Sequence, residues 1–429
     1  MIKQKGYNLA LVGLLTLGIL TQKAEALPMF TAQTGMDCTG CHTQIMPRLN
    51  KFGRKFAASG MTMSQQVEKM DINPSVLIKT KYAKTWDKPD GKGDIKVGDT
   101  NDGDFSLTRM ATIYVGGRVT ENIGGTLNLG YRKEEGTSIS GRVTYANAVE
   151  DGYLGATVYS NNSQGPFSGM EFYNTGLYKP LRTFDNKVYS NAAQSTKAYT
   201  KGATGLQVYF DRDNLLNGGD HFFITAGIYT PTQDNAYIDM NDNILPFARI
   251  AYEHPIGDYN FMLGAFIISG GDTVSDTEIL SMKRETYGFD VQIEGDIANR
   301  EASLTLTNIL KNKIEFTGIG AQSDDADTED SYNSALSVEG AISVTPAIVA
   351  KVGYMTYNDE FDYRYTGKNS RPLKINAKDL DSAINVGLDY GFNLINKEMK
   401  LAIEYAWMDP SLDRVEDYES FMATLTLPF

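Results

Sequence analysis

Two cysteines and one histidine stand together near the start of the chain, as Cys38-Thr39-Gly40-Cys41-His42. They are the only cysteines in 429 residues. Cys-x-x-Cys-His is the attachment spacing of c-type haem. Each thiol adds to one vinyl group, and two intervening residues let the backbone turn so that both can reach. The next residue then offers an imidazole to the iron as proximal ligand. Two other chemistries use close cysteines. A thioredoxin-type pair follows a strand in a βαβ unit, and no such unit is visible. A zinc site wants more Cys or His nearby, and the other histidines are distant, at His221 and His254. The expected cofactor is therefore one covalently bound haem c, held by Cys38, Cys41 and His42. No catalytic residue separate from the haem is expected.

The second axial position is open. Met61 or Met63, then Met46, are the preferred sulfur candidates, and a His/Met pair would raise the reduction potential. A single Met is also an ordinary packing residue. His221 or His254 would serve if the haem docks against the rest of the chain. After the motif, Arg48, Lys51, Arg54 and Lys55 recur at helical spacing within residues 47–56, with Leu49, Phe52 and Phe56 on the other face. One reading packs Phe52 on the haem and lets Arg48 or Arg54 meet its propionates. The other is an amphipathic helix with a solvated basic face.

The elements that position this motif begin with an exported start. Lys3 and Lys5 precede an apolar run from Leu9 to Leu20, and Ala24-Glu25-Ala26 follows. This is the pattern of a signal peptide cut after Ala26. The run is too short to span a bilayer as an anchor. Residues 27–72 then form the haem segment, with a net charge of about +2. Forty-six residues rarely bury enough apolar surface to stand alone. Part of the missing core comes from haem, and the rest must come from a partner domain.

Residues 73–429 supply that partner. The whole chain carries a formal charge of −13 and a mean hydropathy of −0.31. An acidic chain of this kind is a poor nucleic-acid binder. A helical membrane protein would need runs of about 20 apolar residues. A membrane β-barrel would not, because only alternate residues face lipid. Period-2 alternation recurs throughout. Phe421, Ala423, Leu425, Leu427 and Phe429 alternate with Ser420, Met422, Thr424 and Thr426. Met399, Leu401, Ile403, Tyr405 and Trp407 alternate with Lys400, Ala402, Glu404 and Ala406, and Tyr287, Phe289, Val291 and Ile293 with Gly288, Asp290, Gln292 and Glu294.

Sixteen strands are predicted: 75–86, 105–120, 125–133, 139–149, 153–160, 203–210, 220–230, 245–253, 259–270, 284–295, 300–311, 335–343, 347–357, 383–391, 398–408 and 420–429. A two-sheet sandwich also alternates. The connections tend to be long and short in turn, though 134–138 and 211–219 break that rule. Together with the even strand number, this is the outer-membrane barrel signature. Met170 to Tyr178 is either one more strand or a loop folded into the pore. The fold class is thus mainly β, a 16-stranded antiparallel outer-membrane barrel with a small N-terminal helical haem segment. That segment enters from the periplasmic side and either hangs below the barrel or plugs its lumen.

A monohaem segment fused directly to such a barrel resembles the fused cytochrome–porin family, the outer-membrane iron(II) oxidases of iron-oxidising bacteria. The resemblance rests on Pro28-Met29-Phe30, Gln33-Thr34-Gly35, Cys38 to His42, Pro47-Arg48-Leu49 and Phe52-Gly53-Arg54-Lys55-Phe56, about a tenth of the chain. Two positions depart from the family pattern. Phe30-Thr31-Ala32-Gln33-Thr34 lacks an arginine often found there, and Gly60-Met61-Thr62 has Met where tyrosine is usual.

The resemblance implies an iron(II) oxidase, with iron(II) as the external electron donor and a soluble periplasmic cytochrome as acceptor. Outer-membrane lipid surrounds it. Oxygen ligands suit iron, and Asp324, Asp325, Asp327, Glu329 and Asp330 form the strongest landing-loop candidate. Asp99, Asp102 and Asp104 form a second. Solvated external loops, or calcium bridging to lipopolysaccharide, are the plainer reading of both. The competing functional class is a porin-like channel whose haem segment is a structural or redox-sensing plug. A third reading keeps electron transfer with a donor other than iron.

Overall fold

The computed structural model describes residues 28–44, 47–65, 69–86, 103–132, 136–161, 164–185, 191–196, 202–216, 218–232, 244–270, 280–318, 333–359, 380–394, 397–410 and 417–429. The leader at 1–26, Met46, Asp99, Asp102 and the acidic loop at 324–330 lie outside them. Asp104 opens the second strand.

Sixteen strands close into one antiparallel barrel. They are β1 (Asp71–Trp86), β2 (Asp104–Arg118), β3 (Ile123–Arg132), β4 (Gly136–Val149), β5 (Gly152–Asn161), β6 (Gly202–Asp213), β7 (His221–Thr232) and β8 (Leu245–Ile256). The second half comprises β9 (Tyr259–Gly270), β10 (Leu280–Ile297), β11 (Arg300–Gly318), β12 (Asn333–Thr345), β13 (Ile348–Asp359), β14 (Leu380–Leu394), β15 (Lys397–Pro410) and β16 (Tyr418–Pro428). Each predicted strand matches one of these, with ends moved by a few residues in most and by seven at the end of β11. The seam is β1 on β16, from Leu77 opposite Pro428 to Trp86 opposite Glu419. The terminal Phe429 completes it, exchanging backbone bonds with Val76 at 2.7 and 2.8 Å. Closure gives every strand of the ring two neighbours.

The alternation sorts the side chains largely as the pattern predicts; Met399, expected on the outer face, is buried beside Lys400 near the start of β15. Along β15 and β16, Lys400, Ala402, Glu404, Ala406, Ser420, Met422, Thr424 and Thr426 are buried inside. On the outer surface Ile403 and Trp407 are exposed, as are Leu263, Ile267, Leu304, Val352 and Leu388 around the wall. An apolar exterior around a polar interior suits lipid outside and a filled or wet lumen within.

The lumen is filled from both ends. The N-terminal segment folds as α1 (Pro28–Thr34), α2 (Cys38–Cys41) and α3 (Lys51–Ala58). It leads into β1 where Asp71 pairs with Arg118, next to the turn at 119–122. This is the end where consecutive strands are joined by tight turns, such as 257–258 and 298–299. From the other end, the connection between β5 and β6 folds inward. Met170 to Tyr178 belongs to this loop and is not a seventeenth strand. Phe167, Phe172, Tyr173 and Leu177 are buried there, with Phe172 4.7 Å from the Phe223 ring and Phe167 about 5 Å from those of Phe247 and Phe266.

Candidate functional site

Cys38 and Cys41 face the same side of one helical turn, and both are buried. Burial pushes the Cys41 thiol up from its ordinary value. The turn is tightly backed by α3. A Cβ on Gly53 would lie 2.0 Å from the Cys41 carbonyl oxygen, so only glycine lets α3 approach this closely.

His42 leaves the helix in an extended conformation and pairs with Leu49 in a short antiparallel bridge. The Thr43 N–H donates to the Arg48 carbonyl at 2.9 Å, and the Asn50 N–H donates to the Cys41 carbonyl at 3.0 Å. His42 Nδ1 lies 2.9 Å from that same Arg48 carbonyl. A carbonyl only accepts, so Nδ1 carries a proton, and in the neutral ring Nε2 then keeps the lone pair. Burial holds the His42 imidazole below its ordinary value, only partly offset by the Arg48 and Pro47 carbonyls, which favours the neutral ring. Two buried cysteines one turn apart, and an imidazole oriented through Nδ1–H to a carbonyl, fit a c-type haem. An Nδ1–H bond to a carbonyl is how a metal-ligating histidine is commonly fixed.

The basic residues do something the sequence did not reveal. α3 begins at Lys51, capped by the Asn50 side chain accepting from the Gly53 N–H at 2.9 Å. Arg48 therefore lies before the helix in extended backbone, and the expected helix over 47–56 is shorter and starts later. Neither Arg48 nor Arg54 is solvated. Arg48 is buried, donating to Thr183 Oγ1 at 2.8 Å and to Ser303 Oγ. Arg54 is 1 % exposed, meeting Glu253 of β8 at 2.8 Å and Glu294 of β10 at 3.1 Å. Its guanidinium also lies 5.7 Å from the Tyr173 ring centre. Burial alone would lower the Arg54 value, but Glu253 and Glu294 raise it above the ordinary one. Of the other cations, Lys51 is exposed and Lys55 meets Asp213 at 2.9 Å. Phe52 is half-buried on α3, while Phe56 is buried and edge-on to Phe30 at 5.0 Å.

Met61 is buried with φ of 62°, and its sulfur accepts from Arg142 of β4 at 3.8 Å. The Met61 and Met63 carbonyls both accept from the Gln33 amide, at 2.7 and 2.8 Å. His221 lies in the wall, 2.5 Å from Asp211. Among the described residues no group of three or more His, Cys, Asp or Glu side chains is placed to hold a metal ion.

Sequence reasoning missed the lumen side of the site. Asn174 of the inward loop accepts from the Leu49 N–H at 2.7 Å and donates to its carbonyl at 3.0 Å. Gln44 reaches the Glu301 carboxylate through its own N–H at 2.8 Å. Across the lumen, Lys351, Asp389, Glu404 and Lys400 form a second ion network, joined by Asp185 of the inward loop. A charge at an inward position of a period-2 strand was the one signal available. It marks Glu253, Glu294 and Lys351 as lumen groups without saying what they meet.

No protein-family model matches the chain, and no curated protein matches its sequence. Solved structures are similar in fold. OprB of Pseudomonas putida at high pH aligns over 92 % of this chain and 100 % of its own, at 10 % identity and a TM-score of 0.52. Outer-membrane expressed OmpT of Vibrio cholerae aligns over 83 % of this chain and 97 % of its own, at 12 % identity and TM-score 0.48. An anion-selective porin from Comamonas acidovorans aligns over 83 % and 99 %, at 10 % and 0.47. At such identities the likeness is one of fold. The chain is a closed 16-stranded antiparallel barrel with a porin-like fold.

Proposed function

We propose that this chain is an outer-membrane electron-transfer protein, an iron(II) oxidase in which residues 38–42 hold a single c-type haem inside the lumen. The observation that carries the reading is the seat of His42. Its imidazole is oriented through Nδ1 to the Arg48 carbonyl and built into a segment that buried ion pairs fix within the barrel. When bound, haem supplies a one-electron redox centre between an external donor, expected to be iron(II), and a soluble periplasmic cytochrome. The chain's own work is to place that centre. A hydrocarbon layer about 30 Å thick is too wide for one centre hung below the membrane, so holding residues 38–42 within the wall shortens the path from either side. Cys38 and Cys41 supply the attachment thiols, His42 the proximal nitrogen, and Met61 or Met63 a distal sulfur. The acidic loop 324–330 is the proposed iron landing place.

A second reading is supported by the fold. Porins share this barrel, which favours a channel with a structural or redox-sensing plug more directly than it favours iron oxidation. Two measurements separate the readings. Iron(II) added to the purified holoprotein at near-neutral pH reduces its haem under the first reading, and bilayer conductance is small. A large, steady current with no reduction favours the channel. Reduction by sulfur donors but not by iron(II) keeps electron transfer and replaces the donor.

A further inference from the structure

The inward loop reaches the seat of His42. Both strands of the small bridge, 41–44 and 48–50, are anchored from outside their own segment. On the first, Gln44 Nε2 donates to the Glu301 and Ala341 carbonyls at 2.9 and 3.1 Å. The second carries the Arg48 carbonyl that accepts from His42. That carbonyl belongs to the peptide joining Arg48 to Leu49, and the inward loop holds both ends of it. Thr183 accepts from the Arg48 guanidinium at 2.8 Å while donating to Glu339 at 2.6 Å. Asn174 grips the Leu49 N–H and carbonyl at once, and also donates to Glu294 at 2.8 Å. Asn174 and Thr183 are themselves buried. Neither comes near the motif in sequence, and both belong to a loop that enters from the opposite end of the barrel.

From this we infer that Asn174 and Thr183 are positioning residues for the proximal histidine: they hold the 48–49 peptide so that its carbonyl accepts the Nδ1–H of His42, and so tune the redox centre from the far side of the lumen. The inference rests on the haem reading above. Accepting that proton makes the imidazole a stronger electron donor, and a stronger donor favours the higher oxidation state of the metal it binds. Loosening the peptide weakens the bond. The reduction potential then rises, and an added ligand replaces His42 more readily.

The test uses full-length holoprotein in detergent and reads the midpoint potential and the rate of His42 replacement by added imidazole. Thr183→Val removes the hydroxyl at nearly constant volume, and Thr183→Ser restores it. Asn174→Ala removes the grip on Leu49. Outer-shell partners of metal ligands are commonly worth about tenfold in affinity, and a tenfold change in a one-electron equilibrium is about 59 mV. The expected result is a rise of that order in Thr183→Val and Asn174→Ala, about tenfold faster replacement, and wild-type behaviour in Thr183→Ser. Ser337→Ala is the control. Ser337 accepts from the Ala192 N–H at 3.1 Å and so loosens the same loop away from residues 48 and 49. Unchanged potentials in the Thr183 and Asn174 variants overturn the inference while leaving the haem reading standing. An equal shift in Ser337→Ala also overturns it, because the effect would then be general softness. A wild-type protein without covalent haem overturns both.

Discussion

The two inserts in the lumen make their ion pairs with the wall in opposite senses. The N-terminal segment docks with cations. Arg54 seats on Glu253 and Glu294, and Lys55 on Asp213. The inward loop docks largely with anions. Asp185 meets Lys79 at 2.9 Å and Lys400 at 3.5 Å, and Glu171 meets Arg249 at 2.5 Å. Lys79 and Lys400 hold the Asp185 carboxyl well below the usual range, although burial alone would raise it. The barrel's acidic excess is therefore not spread evenly through its interior. A charge on the wrong insert would be buried without a partner, which costs more than the correct pair gains. Carboxylates of the wall thus address the N-terminal segment and cations of the wall the inward loop, even where both stand on one strand, as Glu253 and Arg249 do on β8.

The comparison breaks most strongly at Arg54. Arg54→Ala leaves Glu253 and Glu294 buried without their cation, at a cost of about 3–5 kcal/mol. The expected outcome is a segment 28–65 that proteases cut and a barrel whose conductance rises, while β-sheet content by circular dichroism is unchanged. A plug still protected after this change would mean that apolar packing alone holds it.

Breaking the other address has a smaller effect. Asp185→Ala removes the partner of Lys79, but Lys400 retains Asp389 at 3.3 Å. A loss of about 1–3 kcal/mol is expected. Faster hydrogen exchange should appear in residues 164–196 and not in residues 28–65. Loosening of both segments together would show that they dock as one unit.

A pH series sharpens the same contrast. Glu171 and Asp290 share one guanidinium, and Asp290 takes both terminal nitrogens of Arg249, at 2.6 and 2.8 Å. Burial, opposed by Arg249 and reinforced by Asp290, pushes the Glu171 carboxyl up to about 7. Folded Glu171 thus binds its proton more tightly than a free glutamate at about 4.3. Its contribution to loop docking is full below the free value and declines as pH rises through about 7. Amide protection around residue 171 should fall over that interval, and Glu171→Gln should flatten the profile. A profile unchanged by Glu171→Gln would assign the effect elsewhere. The smallest effect belongs to Lys55, whose side chain is 44 % exposed. Lys55→Ala should cost under about 1 kcal/mol in a melting experiment.

The wall was legible in the sequence and its contents were not. Period 2 is a local property, so Tyr405 and Trp407 could be sent outward and Lys400 and Glu404 inward without knowledge of their partners. The inward loop showed only as an ambiguity at Met170 to Tyr178, because buried aromatics such as Phe172 and Tyr173 suit a strand as well as a lumen filling. The motif at Cys38 to His42 was visible because its residues are contiguous, and the structure adds the seat of His42 on the Arg48 carbonyl. Arg48 and Arg54 were misleading for a physical reason. A cation at helical spacing looks the same whether it faces water or a carboxylate about 200 residues away, and Glu253 and Glu294 meet Arg54 only after the barrel closes.

The central claim is that residues 38–42 carry a redox-active haem within the barrel. It is tested most directly by the absorption spectrum of the denatured and native protein, purified from the outer membrane of a host that matures c-type cytochromes, before and after iron(II) is added. The account predicts haem absorbance that survives denaturation, vanishes in Cys38→Ala with Cys41→Ala, and turns to the reduced form on adding iron(II) to the native protein. A correctly exported barrel with no covalent haem absorbance would contradict it.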